Sequence, residues 1–159
     1  MKLSSSTKMI LRKSPLLPIL YSNIILNTTL EHIIPVSYMR NHIHARDIHN
    51  IYSTTNKMNQ LRCNYEFDYL SRSCINYENN MICKKNKIIY PREEDRGIIA
   101  RSILYMRDEY NYTNYGNIKL YEVWNKKYKP TEKEILHNEI GYLIQGKYNK
   151  YISNYTLNI

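Results

Sequence analysis

The apolar positions of this chain follow two different patterns. From Thr29 to Tyr38, Leu30, Ile33, Ile34 and Val36 gather around Pro35 and read as an extended segment. A polar loop from Met39 to Arg46 follows, and Asp47–Ser53 reads as a second short strand. Met58, Leu61, Tyr65 and Leu70 then keep roughly helical spacing, which predicts a helix within Asn56–Leu70. Residues 71–95 show no period and are expected to be an irregular connection. The pattern sharpens after that. Ile98, Ile99, Ile103, Leu104 and Met106 predict a helix over Gly97–Tyr110, with Asp95 as its N-cap. Lys119–Lys127 predicts a shorter helix that buries Leu120, Val123 and Trp124. Thr131–Ile144 opens on a capping box of Thr131 and Glu134, turns Ile135, Ile140, Leu143 and Ile144 inward, and stops at Gly146. The expected class is α+β, an extended element packed on a mainly helical C-terminal half.

Length and composition suit one compact globular domain. Seventeen tyrosines stand against one phenylalanine; with the many Asn, Ile and Lys residues, this looks like the imprint of an AT-rich coding sequence and carries little weight as a stacking platform. No run of about 18 apolar residues occurs, so no transmembrane helix and no membrane partner are expected. Residues 1–28 read as a leader. Lys2, Lys8, Arg12 and Lys13 precede an apolar stretch, Leu16–Leu26, that lacks a small-residue cleavage site, which makes it a weak secretory signal at best. The domain proper is expected over 29–159. The formal charge of +9 favours a polyanionic partner. Of the three cysteines, Cys74 and Cys83 can close a short loop in an oxidising compartment, and no C-x-x-C pair suggests zinc.

Candidate chemistry concentrates in one stretch. His32, His42, His44 and His49 are interleaved with Glu31, Asp47 and Asn50, and Asn56 and Asn59 follow. A polar surface loop ahead of a helix would account for them without any chemistry. Phosphodiester hydrolysis accounts for them more specifically. It needs a base with a pKa near 7 to deprotonate water, and a cation or arginines for the charge that builds on phosphate. A hard cation such as Mg²⁺ takes oxygen ligands, which Glu and Asn supply. Glu31 and His32 are adjacent, so on a strand they face opposite ways. They serve one site only if the backbone bends or a partner element wraps round.

The run Leu30-Glu31-His32-Ile33-Ile34-Pro35 resembles the E-H-hydrophobic-hydrophobic-P motif of the endonuclease I family, part of the ββα-metal (His-Me finger) group of nucleases. The likeness continues through Asp47-x-His49-Asn50-Ile51 and Asn59-x-x-Arg62-x-Asn64. It resumes in Arg96-Gly97-Ile98-Ile99-Ala100-Arg101 with Tyr105-Met106, then Leu120-x-x-x-Trp124-Asn125, Asn138-Glu139 and Gln145-Gly146-x-x-Asn149, so that it spans roughly residues 29 to 152. The resemblance implies a ββα-metal finger, a short hairpin plus helix, on the helical half. It implies His32 as general base, and Glu31 and Asn59 as ligands of one divalent cation, Mg²⁺ with Mn²⁺ or Ca²⁺ as substitutes. Arg62 and Arg96 are the implied phosphate or DNA contacts, and His49 and Asn50 would brace the site. The implied activity is hydrolysis of DNA, and of RNA as a second substrate, with little sequence specificity, leaving 5′-phosphate and 3′-hydroxyl ends. A monomer is expected.

This sequence departs from the family pattern in places. Only eleven residues separate Pro35 from Asp47, where relatives carry a longer cysteine-containing loop with a phosphate-gripping arginine. Arg40 or Arg46 is left to take that place, with Arg46 preferred. The acidic residue expected before Arg62 is Leu61. A shortened grip on DNA keeps a second reading open, a catalytically weakened nucleic-acid-binding member. The family analogy favours secretion, while the few cysteines fit an intracellular or virus-encoded relative equally well.

Overall fold

A computed structural model describes residues 17–24 and 26–155. The first layer is a two-stranded antiparallel sheet of β1, Thr28–His32, and β2, Ile51–Thr55, in a register that sets Glu31 opposite Tyr52 and His32 opposite Ile51. Between them the chain makes three 3₁₀ turns, Val36–Tyr38, His44–Arg46 and Ile48–Asn50. β2 runs directly into α1, Asn56–Arg62, because Thr55 caps it by accepting the Met58 N–H at 3.2 Å. The helix ends at Cys63, whose φ of 53° breaks the helical path well before the expected Leu70.

The expected irregular connection over 71–95 is instead a small sheet. β3, Glu66–Phe67, β4, Ile75–Tyr77, β5, Asn80–Cys83, and β6, Ile88–Tyr90, lie in the order β3-β6-β5-β4, and β3 pairs parallel to β6. Strands this short give periodicity nothing to act on. A Cys74–Cys83 disulfide ties the chain just before β4 to β5, while Cys63 is free and exposed.

Helix α2, Glu93–Tyr110, is the axis of the molecule and is buried on nearly every side from Gly97 to Met106. It starts four residues before Gly97. Glu93, Glu94 and Asp95 occupy its first turn, where carboxylates suit the helix dipole. Asp95 is therefore not the N-cap; it binds the Arg92 guanidinium at 2.7 Å and the Tyr21 N–H at 2.6 Å. Those bonds hold part of the expected leader against the domain, with Leu17, Leu20 and Tyr21 buried and the Leu20 N–H donating to Ser53 O at 2.8 Å. The basic residues ahead of this stretch, Lys2 to Lys13, lie outside the described residues.

Helix α3, Ile118–Lys127, buries Leu120, Tyr121 and Trp124 but leaves Val123 52% exposed. Helix α4, Glu132–Gln145, is capped by Thr131 and closed by Gly146 at a φ of 74° as expected. Its inward face is not. Glu134, His137, Asn138 and Gly141 are buried, while Ile135, Ile144 and the 81%-exposed Leu143 face outward. The buried polar residues all have partners, which is what permits the inversion. Arg101 binds both Glu134 oxygens, so Glu134 does not complete the capping box. A short helix α5, Lys150–Ser153, follows, capped by Asn149. The class is α+β, and among the described residues no helix is long and apolar enough to cross a membrane.

Candidate functional site

Glu31 and His32 lie at the end of β1, and the pleat sends their side chains to opposite faces. A different element wraps each face. On the Glu31 side, α1 crosses the strand. On the His32 side, the His44–Arg46 turn folds back. Asn50 fixes where the strand ends: its amide accepts the Ile34 N–H at 2.9 Å and donates to Ile34 O at 3.1 Å, while its own carbonyl accepts the Ile33 N–H. The side chain thus extends the strand pairing past His32.

His32 Nε2 lies 2.9 Å from the Ala45 carbonyl. A carbonyl can only accept, so Nε2 carries the proton and Nδ1 keeps the lone pair. Burial holds the His32 pKa below its ordinary value; the Ala45 bond works against that and the Arg62 charge adds to it. The imidazole is therefore neutral at neutral pH, pinned by one nitrogen and basic at the other. Ala45 contributes only its backbone, so no side-chain motif could have announced it.

Arg46, the next residue, is half-buried and its guanidinium has no hydrogen-bond partner among the described residues. Arg40 is committed elsewhere, donating to Tyr110 O at 2.6 Å and stacking over the Tyr112 ring. Of the two loop arginines, Arg46 is the one left with donors to offer an anion.

Glu31 is 1% exposed. Its Oε1 accepts from Arg62 Nη1 at 2.9 Å and from the Tyr21 hydroxyl at 3.1 Å. Burial raises its pKa and Arg62 pulls it back down. The second oxygen, Oε2, has no hydrogen bond to the described residues. Asn59 sits one turn before Arg62 on α1 and reaches Leu30 O through Nδ2 at 3.5 Å, which leaves its amide oxygen without a partner among the described residues. A carboxylate and an amide oxygen are hard donors, the kind that a cation such as Mg²⁺ takes. No group of three His, Cys, Asp or Glu ligands occurs among the described residues.

Two arginines expected to meet phosphate are used internally. Arg62, 1% exposed, donates to Glu31, His32 O, Ile33 O and the Tyr115 hydroxyl, and its Cζ lies 4.9 Å from the centre of the Phe67 ring. It shares Asn59's helix as expected but turns inward, because only there can a buried carboxylate find a countercharge. Arg96 donates to Pro91 O and the Tyr128 hydroxyl and stacks 4.1 Å over Tyr90. The other singled-out histidines disperse. His42 is exposed, and His44 stacks on Tyr110 and bonds the Tyr112 hydroxyl. His49 is fully buried, with Nε2 on Lys147 O at 2.8 Å and burial lowering its pKa. Asp47 accepts from Tyr105, Tyr110, Gln145 and the His49 N–H, clamping the turn that carries Asn50. Tyr21, hidden in the apolar leader, is a contact of Glu31 that sequence reasoning missed.

The family model for Endonuclease I matches residues 25–156. Endonuclease-1 of Buchnera aphidicola subsp. Baizongia pistaciae (strain Bp) is 31% identical over 111 residues, covering 67% of this chain and 45% of that protein. Endonuclease-1 of Buchnera aphidicola subsp. Acyrthosiphon pisum (strain APS) is 32% identical over 109 residues, 67% of this chain and 44% of that protein. A periplasmic deoxyribonuclease of Aeromonas hydrophila is 28% identical over 110 residues, 67% of this chain and 46% of that protein. The chain spans less than half the length of these relatives.

Proposed function

This chain belongs to the endonuclease I family, and from that premise we propose that it is a metal-dependent endonuclease that hydrolyses DNA phosphodiester bonds on a ββα-metal finger formed by β1, β2 and α1. One observation carries the reading: His32, following Glu31 at the end of β1, has its Nε2 pinned by Ala45 O and no bond from Nδ1 to a described residue, while Arg46, the residue after Ala45, has no partner among the described residues.

In this mechanism His32 Nδ1 takes a proton from the attacking water. The Ala45 carbonyl keeps the ring oriented and stabilises the imidazolium that forms. Arg46 holds the scissile phosphate and meets the charge that develops on its oxygens. Glu31 and Asn59 would hold a Mg²⁺ ion, whose charge would offset that on the phosphate and the leaving oxygen. Arg62 limits the excess negative charge of Glu31 and fixes its position. Contacts to phosphate do not read bases, so sequence specificity is low.

The test is cleavage of supercoiled plasmid with Mg²⁺ and with EDTA, for the wild type and for Glu31→Gln and Asn59→Ala. The reading expects nicking that EDTA abolishes and that both variants shift to higher Mg²⁺. Cleavage unaffected by EDTA would overturn the metal. DNA binding without cleavage in any divalent metal would make the chain the nucleic-acid-binding member instead.

A further inference from the structure

The β5–β6 turn consists of Lys84, Lys85, Asn86 and Lys87, all exposed, closed by bonds from the Asn86 N–H to Cys83 O and from the Lys87 N–H to Lys84 O. Asn86 Nδ2 donates to Ser71 Oγ at 2.8 Å, which fastens the turn to the loop carrying exposed Arg72. Four cations are thereby held on one rigid shoulder of the small sheet. None of the four is in an ion pair with a described residue; Lys126, Lys129 and Lys133 on the helical side are likewise without one, while Arg107, Lys147 and Lys150 there are each neutralised by a carboxylate. Nearby acids do not serve them: Asp68 is taken by Asn117 Nδ2 at 3.1 Å, Glu66 interacts with the Gly116 backbone, and Glu78, on the turn between β4 and β5, is in no ion pair with a described residue.

The shoulder is coupled to the candidate active site by direct contacts. Lys87 O accepts the Glu66 N–H at 3.2 Å; Phe67 is next along β3, its ring lies against Arg62, and Arg62 bonds His32 O at 2.8 Å. That path runs through the buried side chains of Phe67 and Arg62.

We propose that Arg72, Lys84, Lys85 and Lys87 form a second contact surface for the phosphate backbone of the DNA substrate, away from the cleaved bond. This rests on the nuclease reading above and adds where substrate affinity resides. Repelling cations kept together without counter-ions cost stability in the free protein; a polyanion lined up along them removes that cost and releases its own counter-ions.

The test is the salt dependence of binding to a labelled 30-bp duplex in EDTA. It compares the wild type, a variant with Arg72, Lys84, Lys85 and Lys87 all changed to Ser, and a charge-matched control with Lys126, Lys127, Lys129 and Lys133 changed to Ser. Lys133 lies on the first turn of α4, about 20 Å from the Gln145 end that touches Asp47 and Ile48. Each phosphate contact contributes about 0.9 to the slope of log K against log salt. The shoulder variant, folded by its melting temperature, should therefore lose about two to four units of slope, while the control keeps the wild-type value. A change of less than about half a unit, or an equal loss in the control, overturns the surface and leaves the nuclease reading standing. A wild-type protein that does not bind the duplex at all overturns both.

Discussion

Replacing Arg62 by Ala separates two roles for this residue, because a phosphate contact and an internal strut predict opposite results. The substitution removes the countercharge of Glu31, the donors to His32 O, Ile33 O and the Tyr115 hydroxyl, and the packing on Phe67. Breaking a buried ion pair from one side costs about 3–5 kcal/mol, since the remaining charge is left without a partner. For a domain of this size each kcal/mol lowers the melting temperature by about 2–4 °C, so Arg62→Ala should melt about 6–20 °C below wild type. Burial already raises the Glu31 pKa, and losing Arg62, which lowers it, raises it further. A carboxyl with a raised folded-state pKa contributes stability at low pH that is lost as pH rises through that value. The deficit of Arg62→Ala should therefore be smaller near pH 5 than near pH 8. Glu31→Gln combined with Arg62→Ala should cost less than the sum of the two, the signature of direct coupling, and Arg62→Lys supplies a milder variant if Ala does not fold. The assay is thermal unfolding by circular dichroism at several pH values. A shift below about 2 °C, typical of a surface substitution, together with weakened DNA binding, would refute the strut and restore the phosphate contact.

The remaining predictions concern the loop, the histidines behind it and their contact with α4. Arg46→Ala should lower kcat/KM for DNA cleavage by about tenfold or more while the melting temperature holds, since an active-site charged contact of about 1.5–3 kcal/mol is lost and no internal bond is broken; unchanged kinetics would remove it from the site. Burial, with His49 adding to it, holds the His137 pKa at about 4, and burial also lowers those of His32 and His49. A histidine with a lowered folded-state pKa contributes stability present above its unfolded value near 6.5 and lost as pH falls through the folded value. Urea unfolding should therefore show stability falling between pH 7 and pH 4, by roughly 3 kcal/mol from His137 alone, and His137→Gln should flatten that slope. Gly141→Ala would bring a methyl to within 2.5 Å of His49 Cε1. Overpacking of about 1–3 kcal/mol should outweigh the helix gain of about 1 kcal/mol, so this variant should melt lower than wild type; a higher melting point would show that the His49 ring gives way.

Much of the frame was legible in the residues. The helix starting at Asn56, the long apolar helix, and the Thr131 and Gly146 ends of α4 follow from local capping and spacing. Glu31 and His32 lie together at the end of β1, Asn50 bonds Ile34 beyond it, and Arg46 is the loop arginine without a partner among the described residues. What escaped depended on long-range pairing. Strands of two to four residues, as in β3 to β6, carry no usable period. The face that α4 buries was misread because Glu134, His137 and Asn138 become core residues once Arg101, Ile51 O and Ser153 supply partners. Arg62 and Arg96 stood as implied phosphate contacts because nothing local to them reveals a buried carboxylate 31 residues away or a tyrosine ring to stack on. Tyr21 and the Ala45 carbonyl reach the site only through the tertiary fold.

The central claim is that His32 activates the water that breaks the phosphodiester bond. The direct measurement is the single-turnover rate of plasmid cleavage with saturating protein and Mg²⁺, for wild type and His32→Ala, with DNA affinity measured on the same preparations. General-base removal predicts a loss of about 10²–10⁴ in rate at unchanged affinity and melting temperature. A His32→Ala protein that binds and cleaves like the wild type would contradict the account.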